Sequence, residues 1–243
     1  MNDVAAARLS RELTAALEKE PRVNLHQNPI HVSLDDGVVR LEGSVDGIIA
    51  KRVAMVTAHR IAGGVPVTDR LRVRSERRQE DGELSRQTVN TLELEPVFRD
   101  YGIREERRSR METVRVRRGE VAGAMDVCVR DGIVTLAGAV ESLSHRRLAE
   151  VLAWWTAGCE DVDNRLRVEP PERENDGELA DAIRIVLEKD PWVRADQISI
   201  RVKDAAVTLA GYLPNAEEHR MAVQDAWYVP GVHEVIDEIQ TWS

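Results

Sequence analysis

The sequence predicts an α+β chain of three tandem modules, each in the order helix, strand, strand, helix, strand. Three observations carry this. The string Asp36-Gly37-Val38-Val39-Arg40-Leu41-Glu42-Gly43 recurs as Asp131-Gly132-Ile133-Val134-Thr135-Leu136-Ala137-Gly138 and again as Asp204-Ala205-Ala206-Val207-Thr208-Leu209-Ala210-Gly211. Apolar residues alternate on either side of each string, as half-buried strands require. Before and after these strands the spacing turns helical. A repeat of this length is a folding unit, and the modules are expected over 1–75, 82–169 and 176–243. Units this small are marginal alone, so packing between them is expected.

The first helix is clearest in the third module, where Leu179, Ala182, Ile183, Val186 and Leu187 share a face and Lys189-Asp190-Pro191 ends it, since proline cannot continue a helix. Leu9, Leu13, Ala16 and Leu17 repeat the pattern and Pro21 stops it. Strand one buries Ile30, Val32 and Leu34, then Met125, Val127 and Val129, then Ile198, Ile200 and Val202. Asp36-Gly37 and Asp131-Gly132 predict tight hairpins. Asp204-Ala205 predicts a turn of different type or lower stability, because alanine resists positive φ. Strand two turns Val39 and Leu41, Val134 and Leu136, Val207 and Leu209 inward. Its closing Gly43, Gly138 and Gly211 mark a bend or a close backbone approach.

The second helix is expected over about 47–61, 142–156 and 215–229. Ala54 and Ala58, with Ala149, Ala153, Ala222 and Ala226 at the matching positions, form a small-residue stripe that lets it sit close to a sheet. The last strand follows as Asp69–Val73, Asn164–Val168 and Asp237–Thr241. The linkers are charged, and both finish in Asp-Gly-Glu-Leu, at Asp81 and at Asp176.

The second module departs from the pattern. It carries an insertion at about 97–124, rich in arginine and holding the chain's one phenylalanine, Phe98, together with Tyr101. Thr113-Val114-Arg115-Val116 could add a strand. The first helix of this module is weak over Ser85–Leu94, with Thr88, Val89, Asn90 and Thr91 in its middle.

The cassette Asp-Gly-x-Val-x-Leu-x-Gly, then a helix, then Gly-Val-x-x-Val and a short strand, resembles the BON domain. The third copy matches best, in Val207–Gly211 and in Ala226-Trp227-Tyr228-Val229-Pro230-Gly231-Val232. The resemblance implies a three-stranded mixed sheet with two helices packed on one face. It also implies a non-enzymatic binding role. The implied ligands are phospholipid, bacterial cell-envelope partners in an osmotic-stress setting or, in one branch, potassium. It carries over no catalytic residue.

The charge balance excludes some classes and orders the rest. Lys and Arg number 34 against 43 Asp and Glu, for a formal net charge of −9. That disfavours nucleic acid, whose binding rests on neutralising phosphates. No apolar run approaches the length of a membrane span, residues 1–25 hold no signal core, and the expected location is cytoplasmic. Cys128 and Cys159 are expected to be free thiols. No metal spacing links the six histidines, and no nucleophile elbow or phosphate loop is present, so neither catalysis nor a cofactor is expected.

Two sets of candidate binding residues remain. Arg40, Arg70 and Arg72, with Arg130, Arg165 and Arg167, fall on the outer sheet faces, where they could meet an anionic surface at about 1 kcal/mol each or pair with neighbouring acids at little gain. The third module has Arg201 and Lys203, diluted by Glu238. Trp154 and Trp227 fill one slot of the second helix, followed by Trp155 and Tyr228. Adjacent aromatics cannot face one core, so one of each pair should reach a partner or a module boundary. The readings left open are an anionic lipid or envelope partner, a monovalent-cation sensor, and a protein-interaction scaffold, with self-association compatible with any of them.

Overall fold

A computed structural model describes residues 3–75, 77, 79–119 and 123–242. The chain divides into two compact units, Met1–Arg74 and Ser75–Ser243.

The first unit runs α1 (Asp3–Lys19), β1 (Ile30–Asp35), β2 (Val38–Val45), α2 (Ile48–Ala62) and β3 (Val67–Val73). Strand β2 is central, antiparallel to β1 and parallel to β3. The hairpin explains the first pairing, and α2, as crossover helix, the second. Leu13 and Leu17 from α1 and Ala54 and Ala58 from α2 are buried with Val39, Leu41 and Leu71 of the sheet. The alanine stripe therefore does what its spacing implies.

The second unit holds the other two modules. Its elements are α3 (Asp81–Leu94), β4 (Gly102–Arg107), β5 (Arg110–Arg115), β6 (Ala124–Arg130), β7 (Ile133–Val140), α4 (Leu143–Trp154), β8 (Asp161–Val168), α5 (Asp176–Lys189), β9 (Ile198–Lys203), β10 (Ala206–Leu213), α6 (Ala216–Tyr228) and β11 (Glu234–Thr241). Strands β9, β10 and β11 repeat the three-stranded order of the first unit.

The second module corrects the expectation of three strands. Its sheet has five, in the order β5-β4-β6-β7-β8. The insertion folds into the hairpin β4–β5, and β4 pairs parallel to β6. It is anchored by Phe98 and Tyr101, 0% and 2% exposed. The Tyr101 hydroxyl accepts the Glu141 N–H at 3.1 Å and lies 2.8 Å from His145 Nδ1. Where the imidazole is neutral with its proton on Nε2, the hydroxyl donates to Nδ1. Burial agrees on both sides, raising Tyr101 to about 12 and lowering His145.

The weak helix is also corrected: α3 is intact. Thr88 Oγ1 donates to the Leu84 carbonyl at 2.9 Å, and Ser85 Oγ donates to Glu105 at 2.7 Å. Glu105 comes from the inserted strand and is 1% exposed. The insertion thus satisfies Ser85, while Thr88 and Thr91 bond carbonyls of their own helix.

All three hairpins turn alike. Asp36 and Gly37 have φ of 53° and 77°, Asp131 and Gly132 of 51° and 75°, and Asp204 and Ala205 of 51° and 60°. The third turn keeps the type and bears alanine's strain. The Asp-Gly-Glu-Leu motif has a structural reason here. Asp81 accepts the N–H groups of Asp131 and Gly132 at 2.8 and 3.0 Å, and Asp176 those of Asp204 and Ala205 at 2.8 and 3.1 Å. The first residue of each helix thus clamps its own module's hairpin.

The glycines closing strand two mark close approaches. A Cβ on Gly43, Gly138 or Gly211 would lie 2.5, 2.1 or 2.0 Å from the carbonyl oxygen of Pro29, Ala124 or Gln197. A second tie recurs between helix and last strand. Lys51 reaches Asp69 at 2.8 Å, His219 reaches Asp237 at 2.7 Å, and Asn164 donates to the Arg146 carbonyl at 3.0 Å.

Candidate functional site

The second and third modules pack through α4 and α5, and Arg147 of α4, 5% exposed, is the clasp. Its Nε donates to the Pro230 carbonyl at 2.9 Å, and its guanidinium pairs with Glu178. Ser144 also donates to Glu178, and Lys189 reaches across to Glu95 at 2.7 Å. These contacts join α4 to α5 and to the segment that follows α6, and a cleft of about 630 Å³, lined by the C-terminal ends of α4 and α5 and by α6, lies between the two modules.

The predicted aromatics meet at this cleft. Trp154 and Trp227 turn inward and are buried, while Trp155 and Tyr228 are half-buried. Trp154 and Tyr228 belong to different modules, and their ring centroids lie 6.4 Å apart. Trp154, Trp155 and Tyr228 line the cleft together with Trp192, which is 73% exposed. Trp227 is not among the lining residues and serves the core of its own module.

Two polar groups among the lining residues lack partners. Trp154 Nε1 and Asp225 Oδ2 are both buried and have no hydrogen-bond partner among the described residues. Asp225 is 4% exposed. Burial first, then the charge and hydrogen bond of Asp190, push its carboxyl up to about 8. Asp190 lines the cleft too, and one of its oxygens accepts the Trp192 N–H at 2.8 Å. Cys159, also on the lining, is held as a thiol, raised to about 12 by burial. A thiol so placed is a poor nucleophile.

Sequence reasoning missed Asp225, Asp190 and Trp192. A signal existed for Asp225. Its counterparts in the other modules are Thr57 and Leu152, both buried, so an acid there sits on the inward face of the second helix.

The predicted arginines do reach the outer sheet faces, but most are matched by acids. Arg40 pairs with Asp35 at 2.9 Å, Arg130 with Glu106 at 2.7 Å, Arg165 with Asp163 at 2.5 Å and Arg167 with Glu169 at 3.4 Å. Arg201 in the third module pairs with Glu238 at 3.3 Å. Arg70 stands beside Glu42 in register. Arg72 stands beside Ser44, and its Nη1 is buried without a partner among the described residues. Exposed pairs of this kind add little stability, yet they divide what would be a single-signed patch.

Among the described residues no group of three or more His, Cys, Asp and Glu side chains could hold a metal ion. No helix among them is long and apolar enough to cross a membrane.

Small α+β modules repeated along one chain, with an aromatic cleft between the second and third, define a modular protein of the binding or interaction class. The chain belongs to the BON domain family, whose model matches residues 5–75, 110–170 and 175–241. The second match begins within β5, so the inserted hairpin interrupts the family pattern where the five-stranded sheet departs from it. BON domains are non-catalytic binding modules.

Two solved structures are similar at low level. One, described as structural studies of CdsD, a structural protein of the type III secretion system of Chlamydia trachomatis, is 15% identical over 97% of this chain and 92% of that chain, with a TM-score of 0.25. The other, the C-terminal domain of the same protein, is 14% identical over 97% of this chain and 98% of that chain, also with a TM-score of 0.25. Likeness at that score carries no argument about this chain. No curated protein matches it.

Proposed function

We propose that this chain is a non-catalytic binding protein whose recognition surface is the aromatic cleft between its second and third modules, and that its partner is another protein. One observation carries this: a buried donor, Trp154 Nε1, and a buried acceptor, Asp225 Oδ2, stand unpartnered on residues that line one cleft. Buried polar groups are paired in folded proteins, and leaving one unpaired costs about 1–3 kcal/mol. A partner that supplies the missing groups recovers that cost. Tryptophan and tyrosine around such groups favour a protein contact, where large rigid rings bury area at low entropy.

Pull-down from native lysate with the full chain tests this. A protein lost from the Trp192→Ala chain and kept by an Arg165→Glu/Arg167→Glu chain is the expected result. Proteins retained equally by both chains, and none lost with Trp192, would remove the cleft from consideration.

A second reading, contact with an anionic phospholipid surface, is favoured by the orphaned Arg72 Nη1 next to exposed Arg70 on the outer sheet face of the first unit. Co-sedimentation with anionic but not neutral vesicles, weakened by Arg70→Glu/Arg72→Glu, supports it. No sedimentation at low salt ends it.

A further inference from the structure

We infer that the aromatic cleft takes a basic side chain of a polypeptide, with its ammonium or guanidinium seated between Asp190 and Asp225 and a peptide carbonyl accepting the Trp154 indole N–H. This assignment rests on the cleft being the binding surface.

Two carboxyl groups in contact inside a protein cannot both be ionised without a positive charge or a proton between them. Asp190, just past α5, and Asp225 on α6 both line the cleft, the charge and hydrogen bond of Asp190 add to burial in raising the Asp225 carboxyl, and the cations of the lining are engaged elsewhere. Lys189 is held by Glu95 at 2.7 Å, and Arg220 pairs with Glu217 at 2.5 Å. Burial first, then Asp190, favours the neutral form, so in the free protein the Asp225 carboxyl is pushed up to about 8 and holds its proton at neutral pH. The remaining titratable groups of the lining, Cys159 and Tyr228, are shifted upward by burial and stay neutral over the same range.

Aromatic faces attract a cation when it is desolvated against them, and Trp154, Trp155, Trp192 and Tyr228 line the same cleft as the two carboxyl groups. Such walls offer few oxygens to an inorganic ion and suit an organic one. The second orphan, the indole N–H, needs an acceptor, which a bare amine lacks and a peptide unit has. The chain's net charge of −9 adds long-range attraction for a basic partner. Entry of the cation must expel the proton. Binding therefore strengthens as pH rises toward the Asp225 value and releases about one proton at pH 7.

The experiment uses the full chain and three probes: N-acetyl-lysine N-methylamide, butylammonium, and N-acetyl-norleucine N-methylamide. The indole N–H resonance of Trp154, assigned with Trp154→Phe, reports occupancy. Calorimetry in two buffers of different ionisation enthalpy counts the proton. The lysine amide is expected to shift the indole resonance, to release a proton and to bind at least tenfold more tightly than either other probe. Asp225→Asn, which keeps the shape of the protonated acid, is expected to abolish the proton release and weaken the lysine amide more than tenfold. Equal binding of the norleucine and lysine amides overturns the cationic assignment and leaves the cleft as a neutral binding surface. No response of the indole to any probe, together with a partner still lost by Trp192→Ala, places recognition on the cleft mouth and overturns the inference alone. Loss of both results fails the cleft altogether.

Discussion

Asp225→Asn is expected to make the protein more stable at neutral and alkaline pH. The side chain is 4% exposed, and its carboxyl is raised from 3.8 in the unfolded chain to about 8 in the fold, by burial and by Asp190. The fold therefore holds a proton that the unfolded chain gives up. This contribution is fully present below the unfolded value of 3.8 and is lost as pH rises toward 8. Each unit of difference is worth about 1.4 kcal/mol, so roughly three units between pH 4 and pH 7 cost the wild type about 4 kcal/mol. Asparagine is neutral at every pH and can donate to Asp190 as the protonated acid does. Urea unfolding from pH 4 to pH 8 measures the difference between the two proteins. The variant should be of similar stability near pH 4 and should gain steadily as pH rises. Parallel curves across the whole range would show that Asp225 is ionised in the fold, and the pairing with Asp190 would have to be abandoned.

Four further outcomes follow from the geometry. Ala205→Gly should stabilise the third module by about 1 kcal/mol, since φ of 60° strains alanine and not glycine; thermal unfolding reads this, and a lower melting temperature would contradict it. Asp176→Ala should cost about 1–3 kcal/mol by releasing the N–H groups of Asp204 and Ala205, seen as faster hydrogen exchange at those two amides. Arg147→Ala should cost about 3 kcal/mol, because Glu178, half-buried, is left without its cation, and it should split the unfolding of Ser75–Ser243 into two steps. Tyr101→Phe should cost about 1–3 kcal/mol by orphaning the Glu141 N–H and His145 Nδ1. The depressed pKa of His145 adds stability that is present above about 6.5 and lost as pH falls below it.

The module cores were legible because periodicity reports burial directly. Val39, Leu41, Val134, Leu136, Val207 and Leu209 are all buried, as alternation implies. The three glycines closing strand two were legible for a related reason, since a carbonyl oxygen occupies the place of a Cβ. The turn at Asp204-Ala205 keeps the type of the other two despite alanine's strain, a point the local sequence left open, and Asp176 holds both of its amides from a distance. The helix over Ser85–Leu94 was underrated because its buried side chains pack in the second module's core, where Ser85 also bonds Glu105 of the inserted strand, and propensity sees neither.

The candidate site was half legible. Two aromatics in succession announced that one ring had to leave the core, and Trp154 and Tyr228 meet at the module boundary. For the arginines the sequence left an anionic contact and pairing with neighbouring acids both open, because a single sequence does not display which cross-strand partner, such as Glu106 for Arg130, lies in reach.

Repeat number, strand identity and the inward residues of each module are local properties, written in patterns only a few residues long, and the chain alone suffices for them. Which modules merge into one body, where a sheet acquires two extra strands, and how Asp190 comes to lie against Asp225 depend on contacts between residues far apart along the chain. Those contacts exchange solvation for burial and pairing, and only the folded arrangement sets that exchange.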